Sequence, residues 1–334
     1  FLALCSQNLP EPEIIDGTDN FNTVLYTGNA GDDHAISGVG FSPDWLWIKN
    51  RSNTYSHMIY DVVRGAGKYI SSDNTGAEAT GSHMNSFDSD GFTVSFASSN
   101  RTNQNNENYV AWNWLADTAF SNDASATSVG TIDSSGQVNT KAGFSIVKHE
   151  NGSGTRTVAH GLSSAPEIIF ERKIDASGDW IVQFTVIDGT SDYMRLNTTV
   201  AKTDGSNALP TATVYSPYVG GGADCLAYCF HSVEGYSKVG SYTGNGNADG
   251  TFVFTGFRPA WVMVKLSSHA GESWYILDSK RDVNNVAGNY LFPNLTAAES
   301  NFTSSYPLDI LSNGFKIRNT SYPNQSGKTY IYLA

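Results

Sequence analysis

Short apolar runs alternate with segments rich in Gly, Ser, Asn, Thr and Asp along the whole chain, and no long stretch places apolar residues at helical spacing. This pattern predicts an all-β protein. Short strands bounded by turn residues at this density are typical of a β-sandwich. In the first third of the chain the predicted strands are Thr23–Thr27, Ala35–Val39, Trp45–Lys49, Met58–Val62, Tyr69–Ser71, Phe92–Phe96 and Tyr109–Trp114.

The same pattern occurs three times. Three prolines, each followed six places later by a basic residue, mark equivalent strands: Pro43 with Lys49, Pro166 with Arg172, and Pro259 with Lys265. A second block, which begins at Tyr69, Tyr193 and Tyr290, aligns without gaps. Repetition of whole modules is more typical of binding or structural proteins than of an enzyme built around one pocket.

The strand after each proline is apolar on both faces. Trp45 and Trp47 alternate with Leu46 and Ile48, and the third repeat shows the same alternation. We therefore expect a central strand that is covered on both sides.

Turns and caps are also repeated. Asp90-Gly91 and Asn313-Gly314 favour the positive φ values of tight hairpins. Thr75-x-x-Glu78 and Thr296-x-x-Glu299 have the spacing of a capping box, which predicts one short helical turn in each block.

These features predict tandem β-sandwich repeats, jelly-roll or lectin-like, with short helical turns. The last repeat stops within the strand that ends at Ala334, so we expect the polypeptide to continue. The predicted boundaries are a lead-in from a preceding domain at 1–20, repeats at 21–116, 143–230 and 236–334, a partly ordered connector at 117–142 and a short connector at 231–235.

Composition excludes several classes of function. Lys and Arg total 20 against 32 Asp and Glu, so the net charge of −12 argues against a nucleic-acid partner. No apolar run is long enough for a transmembrane helix, so no membrane insertion is expected. Cys225 and Cys229 should point to one face of a strand about 13 Å apart, too far for a disulfide. They are predicted to be buried thiols, since no Cys/His spacing typical of zinc occurs.

No segment predicts catalysis, a cofactor or a metal site. Asp61-x-x-Arg64 and Asp278-x-x-Arg281 recur, either as an acid with an orienting cation or, preferably, as a structural ion pair repeated with the fold. His57 and His160 belong to no catalytic motif and are interpreted as surface or packing residues. Two acidic turns offer oxygens to calcium but lack the EF-hand pattern, and we interpret them as turns: Asp88-Ser89-Asp90-Gly91 and Asn247-Ala248-Asp249-Gly250.

Aromatic residues are the remaining candidates for binding, because Tyr and Trp combine large rigid area with a polar tip. Most alternate within strands and should pack in cores. Five tyrosines fall in polar, loop-like segments and are the candidate ligand contacts: Tyr55, Tyr215, Tyr218, Tyr306 and Tyr322. We expect specificity where the repeats differ, in Arg101–Asn108, Asn207–Gly222 and Tyr322–Lys328.

Several motifs together resemble a repeated β-domain of tailed-bacteriophage virion proteins, common in marine phages and often preceded by a SPRY-like domain. The resemblance covers nearly the whole chain. It rests on Tyr26-Thr27-Gly28-Asn29, on Gly40-Phe41-Ser42-Pro43-Asp44-Trp45-Leu46-Trp47-Ile48-Lys49, on Asp61-Val62-Val63-Arg64-Gly65-Ala66-Gly67, on Ser86-Phe87-Asp88-Ser89-Asp90-Gly91-Phe92, on Tyr109-Val110-Ala111-Trp112, and on Gly256-Phe257-Arg258-Pro259-Ala260-Trp261-Val262.

The resemblance implies a non-enzymatic component of the virion surface, in a tail fibre or related appendage that attaches to a host glycan or protein. It also implies contacts with other virion proteins and a homo-oligomer, with a trimer favoured. A purely architectural role, such as capsid decoration, a head fibre or a spacer, is the alternative. A surface-polysaccharide depolymerase is a third hypothesis, although no carboxylate pair is indicated.

Overall fold

A computed structural model describes residues 14–96, 101–150, 152, 154–220, 222–304 and 306–334. Most of the predicted lead-in therefore lies outside the described residues. The described chain begins with a 3₁₀ turn at Gly17–Asp19, whose preceding residue Asp16 accepts a hydrogen bond from the Thr18 amide. Nearly all the regular structure that follows is antiparallel β-sheet, so the all-β prediction is confirmed.

The first repeat is a sandwich of two sheets. Its main sheet has the order β1-β9-β3-β4, its outer sheet the order β2-β8-β7, and β5 pairs with β6. All seven predicted strands are present, while β6 and β7, which are short and partly polar, were not predicted. The strands are β1 (Phe21–Thr27), β2 (His34–Ser37), β3 (Trp45–Asn50), β4 (Met58–Asp61), β5 (Lys68–Tyr69), β6 (Ala79–Thr80), β7 (Met84–Asp88), β8 (Gly91–Val94) and β9 (Asn108–Trp114).

The second repeat has a wider main sheet, of order β10-β11-β12-β19-β14-β15-β16-β17, and the strands described in its outer layer are β13 and β18. The predicted connector supplies β10, α1 and β11, which extend one edge of this sheet. The elements are β10 (Thr118–Asn122), α1 (Ala124–Thr127), β11 (Ser134–Asn139), β12 (Phe144–Glu150), β13 (Val158–Ala159), β14 (Ile168–Lys173), β15 (Ile181–Phe184), β16 (Asp192–Arg195), β17 (Thr203–Asp204), β18 (Val214–Tyr215) and β19 (Asp224–Phe230).

The third repeat restores the pattern of the first. Its main sheet has the order β20-β28-β22-β23, its outer sheet β21-β27-β26, and β24 pairs with β25. Among the described residues, no helix is long and apolar enough to cross a lipid bilayer. The strands are β20 (Val239–Thr243), β21 (Phe252–Phe254), β22 (Trp261–Leu266), β23 (Tyr275–Asp278), β24 (Asn289–Tyr290), β25 (Ser300–Asn301), β26 (Leu308–Leu311), β27 (Gly314–Ile317) and β28 (Thr329–Leu333).

The predicted hairpins are confirmed, since β7 and β8 flank the Asp90-Gly91 turn and β26 and β27 flank Asn313-Gly314. The predicted helical turns are wrong, because Thr75–Glu78 and Thr296–Glu299 contain no helix. Their glutamates have stronger partners than a helix end offers. Glu78 pairs with Lys68 at 2.9 Å, and Glu299 pairs with two arginines.

Each central strand is covered on both faces, as predicted, but by two different layers. The outer faces of the main sheets pack on the outer layer of the same repeat. The inner faces of all three main sheets meet in one shared core. Residues from equivalent positions of the three repeats fill this core: Trp45, Trp47, Val110 and Trp112 from the first, Ile168, Phe170, Leu226 and Tyr228 from the second, and Trp261, Met263, Ile331 and Leu333 from the third.

Hydrogen bonds connect the repeats in a closed ring, first to third, third to second and second to first. One aromatic ring nitrogen in each repeat donates to a backbone carbonyl at the equivalent place in the next: His57 to Phe292 at 3.0 Å, Trp274 to Arg195 at 3.0 Å and Trp180 to Ser71 at 2.8 Å. At each junction one backbone amide also donates to a backbone carbonyl of the neighbouring repeat. The amide of Glu299 donates to the carbonyl of Arg51 at 2.9 Å, that of Lys202 to the carbonyl of Ser267 at 2.8 Å, and that of Glu78 to the carbonyl of Ile174 at 2.7 Å. These contacts give the chain a pseudo-threefold arrangement.

The repeated basic residue also acts at these junctions. Lys49 lies in the shared core with no exposed surface, and its ammonium donates to the Thr296 carbonyl of the third repeat at 3.2 Å. Arg172 is equally buried and donates to the Ser71 and Asn74 carbonyls of the first repeat. Burial lowers the pKa of Lys49 to about 8. In two of the three repeats the cation thus caps backbone carbonyls of the neighbouring repeat, whereas Lys265 of the third donates to the carbonyl of Leu266 in its own repeat at 2.8 Å.

Two of the three repeats carry a buried ion pair beside the shared core. The Arg64 guanidinium lies 2.6 Å from Asp61, and the second repeat donates to the same carboxylate through the Tyr228 hydroxyl at 2.8 Å. The equivalent pair of the third repeat, Asp278 and Arg281, accepts from the Trp112 indole at 3.0 Å. The interpretation of Asp-x-x-Arg as a structural ion pair is therefore confirmed.

The second repeat replaces this pair with apolar residues. Phe184 lies opposite Ile168 as Asp61 lies opposite Trp45, and Ile187 packs against the shared core. An apolar pair can thus occupy the same place in this fold, which agrees with the general finding that well-packed hydrophobes can substitute for buried ion pairs.

We predict that Asp61→Ala lowers the free energy of unfolding by about 3–5 kcal/mol, because it leaves the Arg64 guanidinium buried without its carboxylate. Urea unfolding of the full chain measures this. The matched control is the triple variant Asp61→Phe, Arg64→Ile and Tyr228→Phe. The first two changes introduce the apolar residue types of the second repeat, and the third removes the Tyr228 hydroxyl, which would otherwise lose its acceptor. The triple variant should cost less than the single change; an equal or larger loss would contradict the prediction.

The ring contact of His57 predicts a dependence of stability on pH. Its Nδ1 accepts from the Trp47 indole at 2.8 Å, so a proton there would face another N–H. Burial, with the charge of Lys49 adding, lowers the pKa of His57 well below its usual value. The unfolded chain therefore binds the proton first as the pH falls below about 6.5, and the folded state loses about 1.4 kcal/mol per pH unit from this group.

The double change Trp47→Phe with His57→Trp copies Phe170 and Trp180 of the second repeat and removes the titrating group. We expect its unfolding free energy, measured in urea at pH 7 and pH 5, to fall by less than that of the unchanged chain. Equal losses in the two proteins would show that His57 does not contribute.

Candidate functional site

The repeats differ most on the outer face of the main sheet. In the first repeat Tyr26 stacks on Tyr109, with ring centroids 4.9 Å apart and planes at 11°, and the third repeat stacks Tyr242 on Tyr330 at 5.0 Å and 10°. An aliphatic residue on the central strand and a phenylalanine of the outer layer complete each set: Ile48 and Phe92 in the first repeat, Val264 and Phe315 in the third.

The second repeat carries four polar residues at these positions. The strand registers place His149 at the position of Tyr26, Cys225 at that of Tyr109, Glu171 at that of Ile48 and Tyr215 at that of Phe92. The frame is otherwise kept, since the His149 and Tyr215 rings meet edge to face at 6.2 Å, as Tyr26 and Phe92 do at 6.1 Å. We call these four residues the polar cluster.

The polar cluster is buried and closely spaced. His149 and Cys225 have no exposed surface, and Glu171 is 2% exposed. His149 Nε2 lies 3.1 Å from Glu171 Oε1, and the Tyr215 hydroxyl lies 3.1 Å from the same nitrogen and donates to the same oxygen at 3.4 Å. One ligand atom each from His149, Glu171 and Cys225 lie within 4.8 Å of one another.

Burial changes the acid strengths of two members. It raises the pKa of the Tyr215 hydroxyl well above its usual value, and the Glu171 carboxylate adds to the effect. It also raises the pKa of the Cys225 thiol, again with a contribution from Glu171. Both groups are therefore neutral at pH 7 unless a cation joins them.

The second carboxylate oxygen of Glu171 fixes the chain that crosses the cluster. Glu171 Oε2 accepts from the Tyr218 amide at 3.2 Å and the Val219 amide at 3.3 Å. Among the described residues, the outer layer of this repeat has no third strand equivalent to β7 or β26; the 205–220 loop crosses this face and contains the two-residue strand β18, which pairs with β13. Glu171 thus adds a side-chain anchor to the short pairing that holds this loop.

An open cleft of about 670 Å³ borders the polar cluster. Its walls come from β10, β11, β12 and the start of β19, and include His149, Lys148 and Asp224. Lys148 and Asp224 pair at 3.3 Å on its wall. The cleft exists because the segment predicted as a connector, 117–142, forms β10 and β11, which extend the edge of the main sheet of the second repeat.

The structure corrects part of the tyrosine prediction. Tyr215 and Tyr322, expected in exposed settings, are only 1% and 6% exposed, because their loops fold over the outer cores and the rings fill them. Tyr55, Tyr218 and Tyr306 are half-buried. Only Tyr215 belongs to the polar cluster, and Tyr218 lies beside it with its hydroxyl donating to the Ser191 carbonyl at 2.8 Å.

Two of the three loops expected to differ are in fact alike. Asn103 accepts from the Asn29 amide, and Asn324 accepts from the equivalent Asn245 amide, both at 3.0 Å. The Arg101–Asn108 and Tyr322–Lys328 loops are therefore part of the repeated scaffold. Of the three loops expected to differ, Asn207–Gly222 of the second repeat is the one whose arrangement departs from the other repeats.

The cysteine prediction is confirmed as to burial, and neither Cys225 nor Cys229 takes part in a disulfide. Strand spacing alone could not predict the polar cluster, because its members come from separate strands that only the sheet register brings together. One signal was present, namely Glu171, a glutamate in an apolar strand where the other repeats have Ile48 and Val264.

A second group of acids converges beside β16. Asp188, Asp192 and Asp204 bring their carboxylates together, but the Lys202 ammonium lies among them, 3.0 Å from Asp192 and 3.6 Å from Asp188. The chain's own cation therefore pairs with all three carboxylates and occupies the centre of this group.

An apolar cavity of about 260 Å³ lies at one end of the shared core. All three repeats contribute aromatic walls, among them Trp114, Phe230 and Trp261. The Trp261 indole N–H is buried and has no hydrogen-bond partner among the described residues. The cavity depends on the ring of repeats, since no single repeat supplies its walls.

The chain belongs to the family described as Domain of unknown function (DUF7483), whose model matches residues 16–334. The match spans all three repeats as one unit. Searches of curated proteins and of solved structures find no match to this chain.

We predict that Glu171→Val destabilises the chain by about 2–4 kcal/mol, because two amides of the 205–220 loop and the His149–Tyr215 pair lose their shared acceptor. Thermal and urea unfolding measure the effect. Ile48→Val at the equivalent place of the first repeat is the matched control and should cost only about 0.5–1.5 kcal/mol. A loss from Glu171→Val no larger than that of the control would contradict the anchoring role.

Proposed function

We propose that this chain is a non-enzymatic component of a phage virion, a segment of a tail fibre or related appendage that contacts a host-surface glycan or protein. The motifs around Pro43 and Pro259 resemble repeated domains of phage virion proteins, and this resemblance supports the proposal of a phage origin. The observation that carries the binding role is the asymmetry of the repeats. Two copies have the same three-stranded outer sheet, whereas the described part of the second copy has only the β13–β18 pair there, with β18 lying inside the 205–220 loop.

The loop suits recognition because its base is held and its tip is exposed. Glu171 and the Tyr218 hydroxyl fix the base, the hydroxyl accepting from the Asn207 amide at 3.4 Å. Leu209 at the tip is 50% exposed. A loop already held in one conformation loses less entropy on binding than a mobile one, so its few contacts yield more affinity.

The rigidity of the three-repeat unit supports the same proposal. The shared core and the ring of hydrogen bonds fix the repeats relative to one another, so force or torque on one repeat is passed to the others. Several copies displayed on one appendage would add weak contacts through avidity. We place the protein on the virion surface, in contact with other virion proteins and as a homo-oligomer.

We expect the full chain, displayed on a multivalent carrier, to bind selected glycans on an array or whole bacterial cells. Leu209→Glu should weaken this binding at least about tenfold, since it places a charge at the proposed contact. Val283→Glu, which changes a 74% exposed valine of the third repeat, is the matched control and should bind as the unchanged chain does. Equal binding by both variants would exclude the loop, and no binding by any multivalent form would exclude the attachment role.

A purely architectural role is the alternative that the ring of contacts favours, because it stabilises the unit without creating a recognition surface. Localisation of the protein on intact particles distinguishes the two. A position on the capsid shell would support decoration, whereas a position at a tail tip or fibre supports attachment.

A further inference from the structure

We propose that the polar cluster binds one zinc ion through His149 Nε2, Glu171 Oε1 and the Cys225 thiolate. The inference does not depend on the proposed function. It starts from the fact that this fold does not need the cluster, since the other two repeats fill the same positions with stacked tyrosines, aliphatic residues and phenylalanines. All four positions have become polar together, and three of the new side chains are metal ligands.

The hydrogen-bond partners of His149 suit a metal ligand. Its Nδ1 faces the Glu150 carbonyl at 3.3 Å, and its Nε2 faces Glu171 Oε1 at 3.1 Å. The Tyr215 hydroxyl lies 3.1 Å from the same Nε2 and can donate to it, so the neutral imidazole keeps its one N–H on Nδ1 and a lone pair on Nε2. That lone pair is directed toward Glu171 Oε1, and a metal ion between the two would have a nitrogen and a carboxylate oxygen as ligands.

The surroundings match the outer shell of protein metal sites. A ligating histidine usually donates its other ring N–H to a carbonyl or carboxylate, as His149 Nδ1 is placed to do toward Glu150. A ligating carboxylate is usually held by hydrogen bonds on its other oxygen, as Glu171 Oε2 is by the Tyr218 and Val219 amides. Both ligands are therefore oriented before any ion arrives.

The ligand set indicates which metal. Nitrogen, carboxylate oxygen and thiolate sulfur together suit Zn²⁺, whereas Ca²⁺ and Mg²⁺ prefer oxygen alone. Zinc is usually four-coordinate, and the Tyr215 hydroxyl or a water is available for the fourth position. The open cleft along β12 includes His149 among its lining residues. On binding, the thiol proton leaves to solvent and the sulfur lone pair bonds the metal, so no oxidant or reductant is required.

The direct test titrates metal-free full chain with Co²⁺, carrying Cys5→Ala so that the thiol outside the described residues does not contribute. We expect visible absorption typical of tetrahedral Co²⁺ and a thiolate charge-transfer band, saturating at one ion per chain and lost on adding Zn²⁺. Cys225→Ala should remove the charge-transfer band. Cys229→Ala, which deletes the neighbouring buried thiol of the same strand, is the matched control and should keep it.

A second measurement guards against variants that fail to fold. Zn²⁺ should raise the melting temperature of the unchanged chain, and His149→Tyr, which restores the residue type of the other repeats, should fold without metal and weaken Zn²⁺ binding at least about 100-fold. The proposal is overturned if the unchanged chain binds no stoichiometric Zn²⁺ or Co²⁺, or if Cys225→Ala leaves the spectrum unchanged. In that case the cluster is a buried hydrogen-bonded group that anchors the loop.

Discussion

The structure depends on the burial of three aromatic sheet faces against one another. Each main sheet has an outer face that its own repeat covers and an inner face that it cannot cover. A separate repeat would expose Trp45, Trp47 and Trp112 or their counterparts to water, at a cost of about 1.5–3 kcal/mol for each large apolar side chain. The three repeats therefore form one folded unit, although each has the strands of a complete sandwich.

Packing alone would not fix how the sheets face each other, and the polar contacts supply that specificity. Each junction brings an aromatic N–H and a backbone amide to carbonyls of the next repeat. An unmade bond of this kind leaves a buried polar group without a partner, which costs about 1–3 kcal/mol. Misaligned arrangements of the same cores are therefore disfavoured, and the buried cations Lys49 and Arg172 act in the same sense.

Much of the fold follows from the sequence because alternation and turn residues are local signals. The strands around Trp45 and Tyr109 and the hairpins at Asp90-Gly91 and Asn313-Gly314 were predictable for that reason. The predicted helical turns were wrong because capping-box spacing carries no information about the distant basic residues that pair with the two glutamates. The shared core and the polar cluster were not predictable, since both depend on which sheet faces meet and on registers between distant strands. Comparison of the repeats as sequences identifies the positions that the copies share. Only the pairing register of the strands shows that His149, Glu171 and Cys225 occupy neighbouring positions at which the second repeat differs from the other two.

The ring also limits how this family can change. In an open array, a module can be added or lost at either end because each one contacts only its neighbours along the chain. Here the first repeat contacts the last, so that removing one module leaves two unmatched junctions and adding one leaves no gap to receive it. A change in the number of modules would therefore require every junction to change its angle, whereas a change within one module, as in the second repeat, leaves the ring of contacts in place.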